Sequence, residues 1–319
     1  MSIITPAHNS EAYLQGSVDS AIAQSFTDFE LLIVDDGSTD GTRALARQLA
    51  ERDQRVRVVM RSDRGGAAAG RNLAMRHARG AFFALLDSDD IWHPTFLQAQ
   101  MEILRRLPAV DVVSGNAYNL GGGFDGQPLS SVASDLRPIR LIDMLEHENA
   151  VCVMSVLRRT VYDTIGGFDE TLTVSEDYDF WIRAALAGFR FVQNPVPLAD
   201  YRRRADSASS DEIAMLQGIV RVLRRTRAEC ADLPDEVAAI DRQIARFEEQ
   251  RLLACAKANL LCREFESAAH EFDVLFKLRP TLVNGMMARA SRHVPSVLLW
   301  AYRTKSAIRS GRVRPVATA

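Results

Sequence analysis

The chain lacks any apolar run of the ~18 residues that a bilayer-spanning helix needs. Met1 leads straight into Ser-Ile-Ile-Thr without the basic stretch that opens a secretory signal. Neither export nor membrane spanning is expected, and the expected setting is cytoplasmic. Cysteine is scarce: the four residues Cys152, Cys230, Cys255 and Cys262 form no C-x-x-C pair, which argues against both a zinc site and a disulfide framework. Positive charge is not in excess, with 39 Lys and Arg against 41 Asp and Glu, and this argues against a general nucleic-acid binder. There is also a local shortage. No acid follows Asp273, while Arg279, Arg289, Arg292, Arg303, Lys305, Arg309, Arg312 and Arg314 recur.

With 319 residues, 47% of them hydrophobic, the chain can bury one large core or one core plus a smaller appendage. Strand-like runs at 3–4, 29–34, 56–60 and 82–86 alternate with helical patterns at 13–23, 40–52 and 67–79. That alternation predicts an α/β fold, a mostly parallel sheet with helices on both faces. Strands at 111–114 and 151–157 and helices at 139–148 and 176–187 continue it, with a long loop over 121–137 of the kind that usually carries function. From about residue 210 the pattern is purely helical, broken near Leu233-Pro234, Arg263-Glu264 and Arg279-Pro280. The expected organisation is an α/β domain over 1–209 and a helical region with a basic tail over 210–319. Within the latter, residues 252–278 resemble one tetratricopeptide hairpin, too little for a solenoid.

The apolar run at 82–86 stops abruptly at three carboxylates, Asp87, Asp89 and Asp90. Ligands of open α/β sheets bind at such C-terminal strand ends. Asp35 and Asp36 end the second strand at the same rim, and converging acids are costly unless a positive charge lies between them. A Mg2+ or Mn2+ ion on a diphosphate supplies that charge, with Asp89 as metal ligand and Asp87 as a partner for ribose hydroxyls. Asp35 can accept from the N–H edge of a base. Ordinary strand-to-helix turns explain both clusters equally, since Asp and Ser are common there. Gly65-Gly66-Ala67-Ala68-Ala69-Gly70-Arg71-Asn72 is no P-loop and fails the G-x-G-x-x-G spacing. Its small residues allow either close ligand approach, with Arg71 reaching a base or phosphate, or tight helix packing. In Ser175-Glu176-Asp177-Tyr178-Asp179, Ser175 can cap a helix whose dipole favours acids in its first turn, and an ionised carboxylate there suits a general base.

Together, Thr-Pro-Ala-His-Asn at 5–9, Val-Asp-Asp-Gly-Ser-Thr-Asp at 34–40, Gly-Arg-Asn at 70–72, Leu-Asp-Ser-Asp-Asp at 86–90, Gly-Gly-Phe-Asp at 166–169 and Ser-Glu-Asp-Tyr-Asp at 175–179 resemble glycosyltransferase family 2. The resemblance covers roughly the first 205 residues. It implies a GT-A fold, an inverting reaction, a nucleotide-diphosphate sugar donor and Mn2+ or Mg2+ as cofactor. On that pattern Asp35 and Arg71 contact the base, Asp87 the ribose and Asp89 the metal, while Pro6, Asn9, Asp36 and Ser88 lie in the donor-binding motifs. Asp177 matches the catalytic base and Glu176 its acidic neighbour. By analogy the acceptor is a glycan or a lipid-linked saccharide of an envelope pathway.

Two departures matter. Family members often carry Tyr-Arg-x-His-x-x-Ser-x-Ser after the last core strand, the His reaching the metal, whereas Tyr201 to Ser209 here places Arg204 at that position. A guanidinium cannot ligate a cation but can pair with a diphosphate, so Arg204 is expected to share the charge-neutralising role. The Q-x-x-R-W signature of processive synthases is missing, which argues for one sugar per event. A catalytically silent donor-binding scaffold is disfavoured because Asp89 and Asp177 are both present. A sugar nucleotidyltransferase is disfavoured because Pro6-Ala7-His8-Asn9-Ser10 is not its basic Gly-rich loop. The apolar segment 294–302 with its basic flanks reads either as a packed helix or as a peripheral contact with the inner face of the cell membrane.

Overall fold

The computed structural model describes residues 1–132, 135–204, 207 and 210–309. Ala205, Asp206, Ala208 and Ser209 of the departing motif, and Arg312 and Arg314 of the basic tail, lie outside the described residues.

The first half alternates strictly: β1 (Ser2–Ala7), α1 (Leu14–Ile22), β2 (Glu30–Asp36), α2 (Thr42–Arg52), β3 (Val56–Arg61), α3 (Gly66–His77) and β4 (Phe82–Leu85). These strands lie in the order β3-β2-β1-β4, all parallel. Ile3, Ile4 and Leu31 to Val34 are fully buried, as strands covered on both faces must be. Helix α1 turns Leu14, Val18 and Ala21 inward at helical spacing.

The second half is mixed. It adds β5 (Ile91–Trp92), α4 (Phe96–Arg106), β6 (Val112–Leu120), β7 (Arg137–Ile139), α5 (Leu141–Glu146), β8 (Ser155–Arg158), α6 (Arg159–Ile165), α7 (Glu176–Leu186) and β9 (Phe191–Arg202), completing the order β3-β2-β1-β4-β8-β6-β9-β5 with β7 beside β9. Strand β8 starts at the C-terminal end of β4 and slots between β4 and β6, antiparallel to both. The parallel arrangement therefore holds for the first four strands and for β6 with β9. Strand β6 runs six residues past the expected end at Ser114, because its polar residues find partners in β9 and in the loop that follows. Asn116 donates to the carbonyls of Ser130 at 3.1 Å and Pro195 at 2.8 Å, where the β6–β9 register shifts.

Five helices follow: α8 (Glu212–Glu229), α9 (Pro234–Leu261), α10 (Phe265–Leu278), α11 (Leu282–His293) and α12 (Pro295–Arg309). Three breaks fall where expected; the fourth, at Val294, precedes Pro295, whose ring fits a helix's first turn but not its interior. The chain forms two compact units, Met1–Ser210 with Arg221–Ile240 and Asp211–Val220 with Asp241–Ala319. The second has its own core, built on Leu252, Leu260, Phe272, Leu275, Leu298 and Leu299. All four cysteines are free thiols, and among the described residues no helix is long and apolar enough to cross a membrane.

Candidate active site

The loops after β1, β2 and β4 meet at one rim of the sheet and are stitched by side chains. Asn9, at φ 49°, accepts from the Thr39 N–H at 2.8 Å, and its own N–H donates to Ser38 Oγ at 3.1 Å. Ser88 is buried with its hydroxyl 2.8 Å from Ser10 Oγ, and Ser17 Oγ donates to the Asp87 carbonyl at 3.0 Å. Pro6 packs on Gly70: a Cβ there would lie 2.9 Å from the Pro6 Cβ, so a glycine lets α3 approach β1. Asn9, Ser88 and Pro6 thus shape the rim.

Asp35 and Asp36 are buried and well partnered. Asp36 accepts from the N–H groups of Gly65 at 2.9 Å and Gly66 at 2.7 Å, capping α3, and pairs with Arg61 Nε at 2.9 Å. Asp35 pairs with Arg43 Nε at 2.7 Å and accepts from the Ser38 N–H at 3.3 Å.

Arg71 lies inside the protein, 3% exposed. Its guanidinium donates to Asp87 Oδ1 at 2.7 Å and to Glu176 Oε1 at 2.6 Å, and it sits 5.5 Å from the Phe168 ring centroid. Burial opposes this charge, but Asp87, Glu176 and Asp177 outweigh it and hold the guanidinium protonated above its usual range. Next to it, Asn72 accepts from the Phe168 N–H at 2.8 Å and donates to the Phe168 carbonyl and Glu170 at 2.9 Å. A Cβ on Gly167 would collide with that carboxamide at 2.2 Å, so the Gly-Arg-Asn and Gly-Gly-Phe-Asp stretches are two halves of one contact.

The carboxylates after β4 differ sharply from those after β2. Burial and the charge of Asp87 raise the Asp89 carboxyl above its usual range, against the pull of Arg204, whose Nη1 lies 3.3 Å from Asp89 Oδ2. Asp90 is pushed well above that range by burial and by Asp87 and Asp89; one oxygen accepts from the Arg202 N–H at 2.9 Å and the other has no partner. The guanidiniums of Arg202 and Arg204 lie 5.1 and 4.5 Å from the Tyr13 ring centroid.

Helix α7 presents Glu176 and Asp177 at its start. Ser175 does not cap it, contrary to expectation. It takes φ 59°, the left-handed region, and its buried hydroxyl has no partner. Burial and the Glu176 charge push the Asp177 carboxyl up to about 6, while Arg71 draws it down; Tyr178 N–H donates to Asp177 Oδ1 at 2.8 Å. Asp179 is scaffold, paired with Arg183 at 2.8 Å and with Arg225. Arg225 also holds Asp169 at 2.8 Å. Tyr13, Arg202 and Arg225 escaped the sequence reading; the only trace of the first two was an aromatic at a helix start and a run of three arginines.

Among the described residues no three His, Cys, Asp or Glu side chains converge as a preformed cation cage. The donor set nevertheless fits a divalent ion carried by a diphosphate, which needs only one or two protein carboxylates. Asp89 and the partnerless oxygen of Asp90 belong to an acidic cluster short of positive charge.

A parallel α/β half with a carboxylate-lined rim, continued by a mixed half, is the architecture of GT-A glycosyltransferases. In line with this, the structure superimposes on S. aureus TarS 1-349 in complex with UDP-GlcNAc with a TM-score of 0.66, at 20% identity, covering 98% of this chain and 93% of that one. Residues 2–166 match the profile of Glycosyl transferase family 2, and the chain belongs to that family: it is a glycosyltransferase. It is 32% identical over 212 residues, 66% of this chain and 82% of the other, to TuaG of Bacillus subtilis (strain 168), provisionally named a teichuronic acid biosynthesis glycosyltransferase. It is 30% identical over 184 residues, 57% of this chain and 68% of the other, to the Escherichia coli UDP-Glc:alpha-D-GlcNAc-diphosphoundecaprenol beta-1,3-glucosyltransferase WfgD.

Proposed function

We propose that this enzyme moves one sugar at a time, with inversion, from a UDP-sugar to a hydroxyl of a surface-glycan or lipid-linked acceptor. The observation that carries the reading is Arg71, which ties Asp87 on the donor side to Glu176 beside Asp177 and so holds donor and base on one framework. Asp177 accepts the proton of the acceptor hydroxyl as its oxygen bonds to the anomeric carbon. The bond from that carbon to the diphosphate breaks on the opposite face, and the nucleoside diphosphate leaves. A carboxyl near 6 is largely ionised at neutral pH yet still basic enough to take a proton in the transition state. Asp87 meets the ribose, and the region 1–209 carries this chemistry. Asp35 and Asn9 stand at the base side of the rim, where Pro6, Asp36 and Ser88 keep its loops in place. A Mg2+ or Mn2+ ion, when bound, screens the diphosphate as it departs, and Asp89 would hold it. Arg204, beside Asp89, would share that screening. The UDP and acceptor assignments draw on the names of WfgD and TuaG and on the TarS complex.

Thermal unfolding against UDP, GDP, CMP and dTDP and their sugars, each with and without Mn2+, tests the donor. A ligand at a hundred times its Kd adds about 2.7 kcal/mol of stability. UDP alone among the nucleotides should stabilise, and more so with metal; a larger shift with GDP would replace the donor. Turnover of Arg204→Ala at unchanged rate and unchanged metal dependence would remove Arg204 from the scheme.

A further inference from the structure

The second compact unit leaves large apolar side chains uncovered on two consecutive helices. Leu282, Val283 and Met286 are exposed on the first turns of α11, Leu282 at 89%. On α12, Leu298 and Leu299 enter the second core, whereas Val297 and Trp300 stay outside, Trp300 at 68%. Leu282 and Met286 are four apart and Val297 and Trp300 three apart, so each pair shares one helix face. Exposed apolar residues concentrated in this way mark an interaction surface.

The charge around them selects the partner. Nine Lys and Arg residues and no acid follow Asp273. Arg279 and Arg292 are occupied by Glu249 and Asp273, but Arg289 and Arg303 are exposed on the same two helices. We propose that α11 and α12 dock on an anionic lipid surface, their apolar side chains entering the headgroup boundary and their basic ones meeting lipid phosphates. A second copy of the chain fits less well, because a symmetric interface would bring these like charges together. Among the described residues neither helix is long and apolar enough to cross a membrane, and the Trp, Leu and Arg composition of α12 is that of a helix lying in the interface. The proposal concerns surface binding alone and is independent of the donor and the chemistry proposed above.

The full chain is sedimented with vesicles of phosphatidylcholine alone and of phosphatidylcholine with phosphatidylglycerol. It should pellet only with the anionic vesicles and should be released by salt. Replacing both Arg289→Glu and Arg303→Glu should lower partitioning at least about 25-fold, each lost charge being worth about fivefold. Val297→Ser with Trp300→Ser should lower it at least about tenfold, and Leu107→Ser in the first unit should change nothing. Variants count only if they melt with the wild type. Tryptophan emission decides without any variant: Trp92 and Trp181 are 2% and 1% exposed, so a blue shift on adding anionic vesicles reports Trp300. Wild type that stays in the supernatant with no blue shift overturns the proposal. So does equal pelleting of the variants, or a lipid-free dimer that the same apolar variants dissolve.

Discussion

Strands β2 and β4 flank β1 and run parallel, and acids close β2 and follow β4 two residues on, yet the two clusters are opposites. After β2, Asp36 receives two helix N–H groups and Arg61, and Asp35 receives Arg43. After β4, Asp89 and Asp90 crowd Asp87 with too little positive charge nearby, and their carboxyls rise above the usual range. A buried carboxylate whose charge is matched by nearby cations and N–H groups builds structure; one left short of charge awaits a ligand, because folding has not relieved its desolvation. The same contrast recurs on α7, between Asp177 and the twice-paired Asp179.

The sharpest way to test the contrast is on α7. Asp177→Asn should lower turnover by about 10²- to 10⁴-fold while leaving nucleotide-induced thermal stabilisation intact. If turnover survives, Asp177 is not the base. Asp89→Asn should cost turnover on the order of 10²-fold and abolish the extra stabilisation that metal gives a bound nucleotide, with Tm in the absence of ligand unchanged or higher. Asp36→Ala should do the reverse: urea denaturation should show a loss of about 2–4 kcal/mol, since the orphaned N–H groups and Arg61 lose a charged partner, while turnover of the folded enzyme changes only a few-fold. A dead but fully stable Asp36→Ala would break the distinction between the two strand ends.

The smallest effect lies in pH. Asp177 titrates at about 6, so below that value it is protonated and cannot take the acceptor's proton. Turnover should fall about tenfold per pH unit on the acid side and level off above about 7. For stability the sign is opposite. A folded carboxyl above its unfolded value of ~3.9 disfavours folding once ionised, a penalty absent below about pH 4 and complete above about pH 6. Asp177→Asn should therefore raise Tm near neutral pH and leave it unchanged near pH 4, which scanning calorimetry at both values checks.

Strands β1, β2 and β4 were legible because a parallel strand buried on both faces reads as an unbroken apolar run, and the edge strand β3, only partly buried, was legible from its valines. The mixed half was harder. The far end of β6, with Asn116 and Asn119, and the short β5 and β7 carry no such run, and the two Asn side chains are satisfied by tertiary partners, Asn119 by the Gln127 carbonyl of the following loop and Asn116 by Pro195 far along the chain. The break between α11 and α12 was missed although Pro295 marks it, because the apolar run from 294 to 302 continues across it.

The sequence by itself determined the family, the placing of acids at strand and helix ends, and the one-sided charge of the tail, since composition and spacing along the chain carry all three. Tertiary structure alone decided which of those acids are neutralised. The cations that settle it, Arg43 and Arg61 for the β2 pair, Arg71 for Asp87 and Glu176 and Arg225 for Asp179, come from other elements, Arg71 lying more than a hundred residues from Glu176. Charge compensation depends on distances of a few ångströms and on burial, and neither exists until the chain has folded.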